Sequence, residues 1–338
     1  MKHNVALQFE DGVTRIIQCD AHEPVCDAAY RARINIPLDC RDGACGTCKS
    51  HCESGTYTLG AYIEDALAGD EAASGYVLTC QMRVTSDCVI RIPVTSDACK
   101  VEVAEYEGRL AQIVRDSPTT MSFSLETAQP LSFLPGQYVN LKVPASEAAR
   151  SYSFSSAPER AKLSFLIRDV PNGAMSAFMR QQAKPGDVMT FTGPYGSFYL
   201  RPVVRPVLML AGGTGLAPFL SMLTWLNAHP CAHPIRLAYG VNTVADLVEL
   251  SALDTLKAEL PDFDYVTCVA DRDSDHPRLG YVTDHLQPTD LHDGNVDVYV
   301  CGPPPMVDGI RQWMSGAGVI PANFHFEKFS STAQGQAA

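Results

Sequence analysis

The chain has 338 residues, 46% hydrophobic and 19% charged, which is too long for one compact core and leaves little room for disordered tracts, so two or three domains are expected. Its formal net charge of -12 argues against nucleic acid or an anionic membrane as partner, since both want a basic face. Residues 1–98 carry 8 Lys and Arg against 14 Asp and Glu, an excess that fits docking on a basic partner and equally fits plain solubility.

At the N-terminus, Lys2 is followed by only a few apolar residues before Glu10 and Asp11, too few for a secretory signal core. A cytoplasmic protein is expected, in which the twelve cysteines serve as thiols or metal ligands rather than disulfides. Val5–Phe9, the turn Asp11-Gly12 and Val13–Ile17 read as a hairpin, and a helical stretch follows near Val25–Ala32. Then comes Cys40-Arg-Asp-Gly-Ala-Cys45-Gly-Thr-Cys48, a C-x4-C-x2-C spacing, with Cys80 placed 32 positions beyond Cys48. Soft thiolates suit an iron–sulfur cluster. Three ligands on one tight loop need backbone freedom, and Gly43 and Gly46 stand where it is required. Amide N–H groups of such a loop can point at the sulfurs. Zinc sites usually pair C-x2-C with a second such pair or with histidines, so the lone fourth cysteine favours iron. Cys19, Cys26, Cys88 and Cys99 read as buried small apolar residues. Cys52 reads the same way; it is close enough to compete as a ligand but breaks the spacing. The segment resembles the plant-type 2Fe–2S ferredoxin domain over about residues 1–98. The resemblance implies an α+β, β-grasp fold with the metal held by Cys40, Cys45, Cys48 and Cys80.

From Lys100 to Arg201 the pattern changes to short alternating runs, at Leu110–Val114, Met121–Glu126, Tyr138–Val143, Leu163–Arg168 and Val188–Thr192. Turns at Pro135-Gly136, Pro171-Asn172-Gly173 and Pro185-Gly186 separate them, which predicts a small antiparallel β-barrel over residues 99–203. One strand carries Arg150-Ser151-Tyr152-Ser153. Arg150 suits a phosphate, Tyr152 a flavin ring face and Ser153 the ring edge near its reactive nitrogen; alone, the same string fits an exposed strand. Gly173-Ala-Met175-Ser176 opens a helix whose free N–H groups favour a pyrophosphate. With Pro135-Gly136-Gln137-Tyr138 and Gly193-Pro194-Tyr195-Gly196, the stretch resembles the flavin barrel of the ferredoxin–NADP reductase family. The resemblance implies FAD rather than FMN.

After Pro206, strands at Val207–Ala211, Ile235–Gly240, Tyr265–Ala270 and Val296–Cys301 alternate with helices near Ala217–Asn227, Glu249–Leu260 and Pro304–Ser315. That order predicts an α/β doubly wound parallel sheet over residues 204–338. Val207 to Leu226 is uncharged and as long as a membrane span, but Gly212, Gly213, Thr214, Gly215 and Pro218 at its centre read better as a strand, a phosphate-binding turn and a helix. The turn departs from the dinucleotide fingerprint, because Pro218 takes the last glycine position and no acid follows at about twenty residues. Cys301-Gly302-Pro303 and then Met306, after the last strand, resemble the nicotinamide edge of the same reductases. The resemblance implies that Cys301 and Gly302 approach the nicotinamide. It also implies that a terminal aromatic, Phe329 or Phe326, covers the flavin while Glu327 sits near the nicotinamide; a simple final strand fits the same residues. Gly240, Val241 and Asn242 stand where a 2′-phosphate would want arginines, and Asp246 would repel one or else cap a helix, so NADH is expected over NADPH. The tail 330–338 reads as disordered.

Taken in order, the regions make an electron path. A nicotinamide delivers hydride, a 2Fe–2S cluster takes one electron, and a flavin handles both, so the flavin lies between them. Over essentially the whole chain the layout resembles the reductase component of aromatic-ring dioxygenases, with the benzoate, toluate and anthranilate 1,2-dioxygenase systems nearest. The resemblance implies a monomer with Ser153, Cys301 and Glu327 at the hydride step. It implies a separate terminal oxygenase with a Rieske centre and mononuclear iron as partner, since the nine histidines are scattered without a 2-His-1-carboxylate pattern. Reductases of di-iron monooxygenases share the layout, and a redox-sensing iron–sulfur protein is the non-enzymatic alternative.

Overall fold

The computed structural model describes residues 2–100, 103–144, 146 and 148–329; the tail 330–338, expected to be disordered, lies outside them. Two compact units emerge, one of residues 1–104 with 193–197 and one of 105–192 with 198–338.

In the first unit the expected hairpin is β1 (Lys2–Phe9) with β2 (Thr14–Asp20), closed at Gly12, whose φ of 78° suits glycine. Alternation turns Val5, Leu7 and Phe9 inward. Against them lies α1 (Val25–Arg31), which buries Val25, Cys26, Ala28 and Ala29. Next come β3 (Lys49–Ser54), β4 (Tyr57–Leu59), α2 (Gly69–Ala73), β5 (Tyr76–Leu78), β6 (Met82–Val84) and β7 (Cys88–Ile92). The main sheet runs β2-β1-β7-β3-β5, and β4 pairs with β6 as a separate ribbon. Between α1 and β3 the chain has no regular structure. That gap holds three of the four motif cysteines.

The second unit begins with six antiparallel strands, apart from Ala104 and residues 193–195, which fall in the first: β8 (Ala104–Arg115), β9 (Thr120–Leu131), β10 (Tyr138–Lys142), β11 (Ala149–Ser153), β12 (Arg160–Arg168) and β13 (Val188–Tyr195), with α3 (Ala174–Gln181) before the last. Their order is β11-β10-β13-β8-β9-β12. The two ends meet through a bridge between Phe154 and Phe165 and the bond from Ser155 N to Ser164 O, 2.8 Å, so the sheet curls into the expected barrel. Stacked Phe133 and Phe154 (3.8 Å between ring centres) and Phe123 and Phe165 (5.0 Å) fill it.

The remaining elements are β14 (Val207–Gly212), α4 (Leu216–Ala228), β15 (Ile235–Val241), α5 (Leu250–Glu259), β16 (Phe263–Val269), β17 (Asp297–Gly302), α6 (Pro304–Ala317) and β18 (Asn323–Lys328). They form a parallel sheet in the order β16-β15-β14-β17-β18. Residues of α4 and α5 pack on one face and those of α6 on the other. The uncharged run from Val207 thus divides into β14, a glycine turn and α4, and no helix among the described residues is long and apolar enough to cross a membrane. Strand order reverses between β14 and β17, the position where open α/β sheets bind ligands beyond their C-terminal ends.

At the opposite end of that sheet the buried carboxylate of Asp297 accepts from Arg205 Nη1 (2.8 Å) and Asn323 Nδ2 (2.7 Å). It pins the starts of β14, β17 and β18 together. Asp297→Ala leaves both donors without a partner and is expected to cost about 3 kcal/mol. The unfolding midpoint then falls by roughly 8 °C, measurable by thermal melting followed by circular dichroism.

Candidate functional site

The thiol loop of the first unit is shaped by two glycines. Gly43 (φ 83°) and Gly46 (φ 73°) occupy left-handed backbone. A Cβ on Gly43 would lie 2.6 Å from Ala61 O and one on Gly46 3.2 Å from Ala66 O, so close approach and conformation both demand glycine. The turn aims its amides inward: Ala44 N and Cys45 N each donate to Cys40 Sγ at 3.3 Å, and Thr47 N donates to Cys45 Sγ at 3.5 Å. Cys80 arrives from the end of β5, whose antiparallel register with β3 pairs Lys49 with Leu78. Its sulfur lies 3.3 Å from that of Cys48. The hydrogen bond from Cys40 lowers the Cys45 thiol and raises Cys40 itself, and the bond from Cys48 likewise lowers Cys80 and raises Cys48. Amide-solvated sulfurs on one loop, with a fourth beside them, are a donor set that fits a soft iron centre. The other cysteines of the unit behave as expected of apolar fillers. Burial pushes the thiols of Cys19, Cys26 and Cys99 up to about 12 and that of Cys52 up to about 11.

In the second unit three sequence-predicted residues converge. Ser153 Oγ donates to Glu327 Oε2 at 3.2 Å, and Cys301 Sγ lies 3.9 Å from the same oxygen. The parallel register of β17 with β18 sets Cys301 directly beside Glu327. Cys301 is fully buried, and burial first, then the Glu327 charge, raises its thiol well above the ordinary value. Pleating separates Ser153 from its neighbours. Arg150 and Tyr152, paired across the strand with Leu141 and Val139, share one face of β11, and Ser153 points to the other. Tyr152 packs edge-on against Phe123, while Arg150 is half-exposed with Nη1 on Ala149 O at 2.8 Å.

Helix α3 starts at Gly173 as expected. Met175 is buried in the barrel core, and Ser176 Oγ accepts from Val170 N (3.0 Å) and donates to Arg168 O (3.3 Å). Only backbone N–H groups of this turn are offered outward, as an anion site requires. At the strand-order reversal, Gly212 and Gly302 face each other so closely that a Cβ on Gly212 would lie 2.5 Å from Met306 Sδ and 3.1 Å from Pro303 Cδ. One on Gly215 would lie 2.2 Å from Cys301 O, whereas Gly213 (φ 54°) and the adjoining Thr214 form a turn with open space outside Gly213. A glycine floor closed underneath and open above fits a nucleotide backbone.

The terminal aromatics separate cleanly. Phe326 packs with Phe324 beneath Arg311 on the α6 side, the face away from Cys301. Phe329 packs on the Cys301 side and donates its N–H to Gly302 O at 2.9 Å. The final segment is both a strand and the carrier of these groups. Asp246 caps its own turn, accepting from Thr243 N (3.1 Å) and Thr243 Oγ1 (2.8 Å) and from Thr119 Oγ1. Burial alone would raise its carboxyl; the bonds from Thr119 and Thr243 hold it below the usual range. Sequence reasoning missed His325. It shares a strand face with Glu327, lies 4.8 Å from the Tyr299 ring, and burial lowers it to about 3. The alternation His325, Glu327 on one strand was the available signal.

Comparison with known proteins finds three domains along the chain. Residues 8–85 match the 2Fe-2S iron-sulfur cluster binding domain, 108–199 the oxidoreductase FAD-binding domain and 209–312 the oxidoreductase NAD-binding domain. The toluate 1,2-dioxygenase electron transfer component of Pseudomonas putida is 52% identical over 98% of this chain and 100% of its own length. The chain belongs to the dioxygenase electron transfer components. A second member, the anthranilate 1,2-dioxygenase component of Acinetobacter baylyi, is 38% identical over 99% of this chain and 100% of its own. Among solved structures, an Amycolatopsis cytochrome P450 reductase aligns with a TM-score of 0.74 at 31% identity, covering 97% of this chain and 99% of that one. Electron transfer components of this type use a 2Fe–2S cluster, FAD and a nicotinamide dinucleotide. The residues present fit all three groups.

A thiol raised above its ordinary 9.0 by burial stays neutral at pH 8 and is a poor nucleophile. Iodoacetamide at that pH is expected to leave Cys301 unlabelled in the native protein and to label it after denaturation, as peptide mass mapping would read. The sign for stability follows: the neutral thiol favours folding below pH 9, and that contribution is lost as pH rises further.

Proposed function

We propose that the chain is an NADH-oxidising reductase feeding a terminal Rieske and mononuclear-iron oxygenase of the benzoate, toluate or anthranilate 1,2-dioxygenase kind. When bound, a nicotinamide would supply hydride, a flavin would convert two electrons into single ones, and a 2Fe–2S cluster would carry one at a time. Convergence of Ser153, Cys301 and Glu327, residues far apart in sequence, is the observation that supports this reading most. Their place is where nicotinamide meets flavin: Ser153 holds the ring edge, Glu327 keeps the serine proton oriented, and neutral Cys301 packs without bringing a second charge. Arg150 clamps a phosphate of FAD, Tyr152 supports its ring, and the N–H groups of Met175 and Ser176 take the pyrophosphate, while Gly173 opens the turn with its own N–H held by Val170 O at 3.0 Å. Gly212, Gly213, Thr214 and Gly215 floor the nicotinamide dinucleotide, Cys301, Gly302 and Pro303 line its reactive end, and Phe329 covers the flavin. Cys40, Cys45, Cys48 and Cys80 ligate the cluster.

The working boundaries are 1–98 for the ferredoxin part, 99–203 for the flavin barrel and 204–338 for the nicotinamide part. One chain carries every group the electron path requires, so a monomer suffices. None of the twelve cysteines, all among the described residues, forms a disulfide, in keeping with a reducing compartment such as the cytoplasm.

Arg150→Ala is expected to lower flavin content several-fold while the visible absorption of the cluster persists; equal loss of both chromophores would count against separate sites. Cys80→Ser should abolish NADH-dependent reduction of cytochrome c yet spare ferricyanide reduction by the flavin. Reconstitution with a purified benzoate-type oxygenase and NADH should then give the cis-diol. Turnover only with a di-iron monooxygenase would replace the assigned partner, and absence of any steady NADH oxidation would leave a redox sensor.

A further inference from the structure

The four motif sulfurs do not share one environment. Cys45 is exposed and Cys40 half-buried, whereas Cys48 and Cys80 are buried with their sulfurs 3.3 Å apart. The segment leading into α2 is attached on either side of Cys48. Before it, a Cβ on Gly46 would lie 3.2 Å from Ala66 O and 3.5 Å from Ala66 Cα, so the two backbones touch. After it, Lys49 Nζ pairs with Glu71 Oε2. The same carboxylate oxygen accepts from Ala68 N at 3.1 Å, closing the first turn of α2 as a capping glutamate does. Ala66 and Leu67, within the attached stretch, are buried. The far end of α2 has anchors of its own: Ser74 O lies 2.9 Å from His51 Nε2, and Gly75 O accepts from Cys52 N at 2.9 Å.

The ion pair is well shielded, with the Lys49 and Glu71 side chains 17% and 15% exposed. Exposed pairs contribute little, because water competes and long side chains are mobile. A shielded pair differs, since removing one partner leaves the other charge in a site that water must then enter. We propose that Lys49 and Glu71 are positioning residues that latch residues 66–71 over Cys48 and Cys80 and keep water from the inner side of the 2Fe–2S site. The inference rests on the reading that Cys40, Cys45, Cys48 and Cys80 hold the cluster. Neither side chain is a ligand; the pair acts through the segment it holds. Water admitted there would reach iron–sulfur bonds otherwise closed to hydrolysis. It would also solvate the added negative charge of the reduced cluster and so raise the reduction potential.

The test uses purified holoprotein and three variants. Glu71→Gln removes the charge but keeps an acceptor for Ala68 N, Lys49→Met removes the ammonium, and Lys49→Arg keeps a charged donor. Bleaching of the cluster absorption in excess EDTA is followed well below every unfolding midpoint. It should be about tenfold faster in Glu71→Gln and Lys49→Met, and Lys49→Arg should bleach at nearly the wild-type rate. Spectroelectrochemical titration should find a higher cluster potential in Glu71→Gln, since losing a negative charge and admitting water both favour the reduced state. A Glu71→Gln protein that folds but emerges without a cluster is the limiting case of fast bleaching, and a full cluster in Lys49→Arg then supports the latch. Wild-type bleaching in Glu71→Gln and Lys49→Met overturns the proposal. So does fast bleaching in Lys49→Met alone, which would credit the ammonium and not the pair, or in Lys49→Arg as well, which would credit the packing of the lysine stem. Fast bleaching at an unchanged potential would make the pair a support of the fold and not a seal, and overturns it too. Should the wild-type protein carry no 2Fe–2S absorption, or Cys80→Ser keep it in full, the ligand assignment itself fails.

Discussion

Glu327 is where the barrel and the parallel sheet of the second unit meet chemically. Its carboxylate is reached by Ser153 from the end of β11 and lies beside Cys301 of β17. Neither approach survives a change in strand register. A slip of one residue between β17 and β18 would turn Glu327 to the face where Phe326 lies under Arg311 and would replace it with an aromatic ring. The register is held from the far end as well, because Asp297 ties Arg205 and Asn323 at the starts of the same strands. A buried carboxylate accepting two donors allows one alignment, since any other strands polar groups away from water. The same alignment brings Gly215 against the Cys301 carbonyl and Gly212 against Met306. The glycine turn and the cluster of Ser153, Cys301 and Glu327 therefore depend on one set of strand pairings.

The first unit solves a different problem by different means. Its metal-binding segment has no ladder to hold it, only amide-to-sulfur hydrogen bonds and two glycines pressed against a crossing segment. Such a loop leaves Cys45 at the surface and Cys40 partly so, while Cys48 and Cys80 lie buried behind them. The remaining cysteines Cys19, Cys26, Cys52 and Cys99 are buried thiols raised by desolvation, and Cys40 and Cys48 are raised as well. Position on the glycine-shaped loop, or beside it in the case of Cys80, is what separates the four motif cysteines from the rest.

Much of this organisation is written locally. The C-x4-C-x2-C run declares its chemistry because all three sulfurs lie within one short loop, where covalent spacing limits what they can bind. The change from period-two strands to a strand–helix alternation near Pro206 reports the change from barrel to parallel sheet, because side-chain periodicity follows backbone geometry. Helix α3 was legible from Gly173, and the reading relied only on N–H groups at its start; the side chains of Met175 and Ser176 are taken up by the barrel core and by Arg168 O.

What the sequence determined by itself was the kind of each element, the cysteine set and the order of the modules, all properties of near neighbours along the chain. Only the tertiary structure decided that Ser153 leaves Arg150 and Tyr152 on the opposite face to join Glu327, a partner 174 positions away. It also decided that Phe329 rather than Phe326 shares the Cys301 side, and that Asp246 is spent on Thr243 and Thr119. Each of those outcomes rests on strand register and sheet face. Register is fixed by packing and by buried polar pairs between distant segments, and no local pattern of residues carries that information.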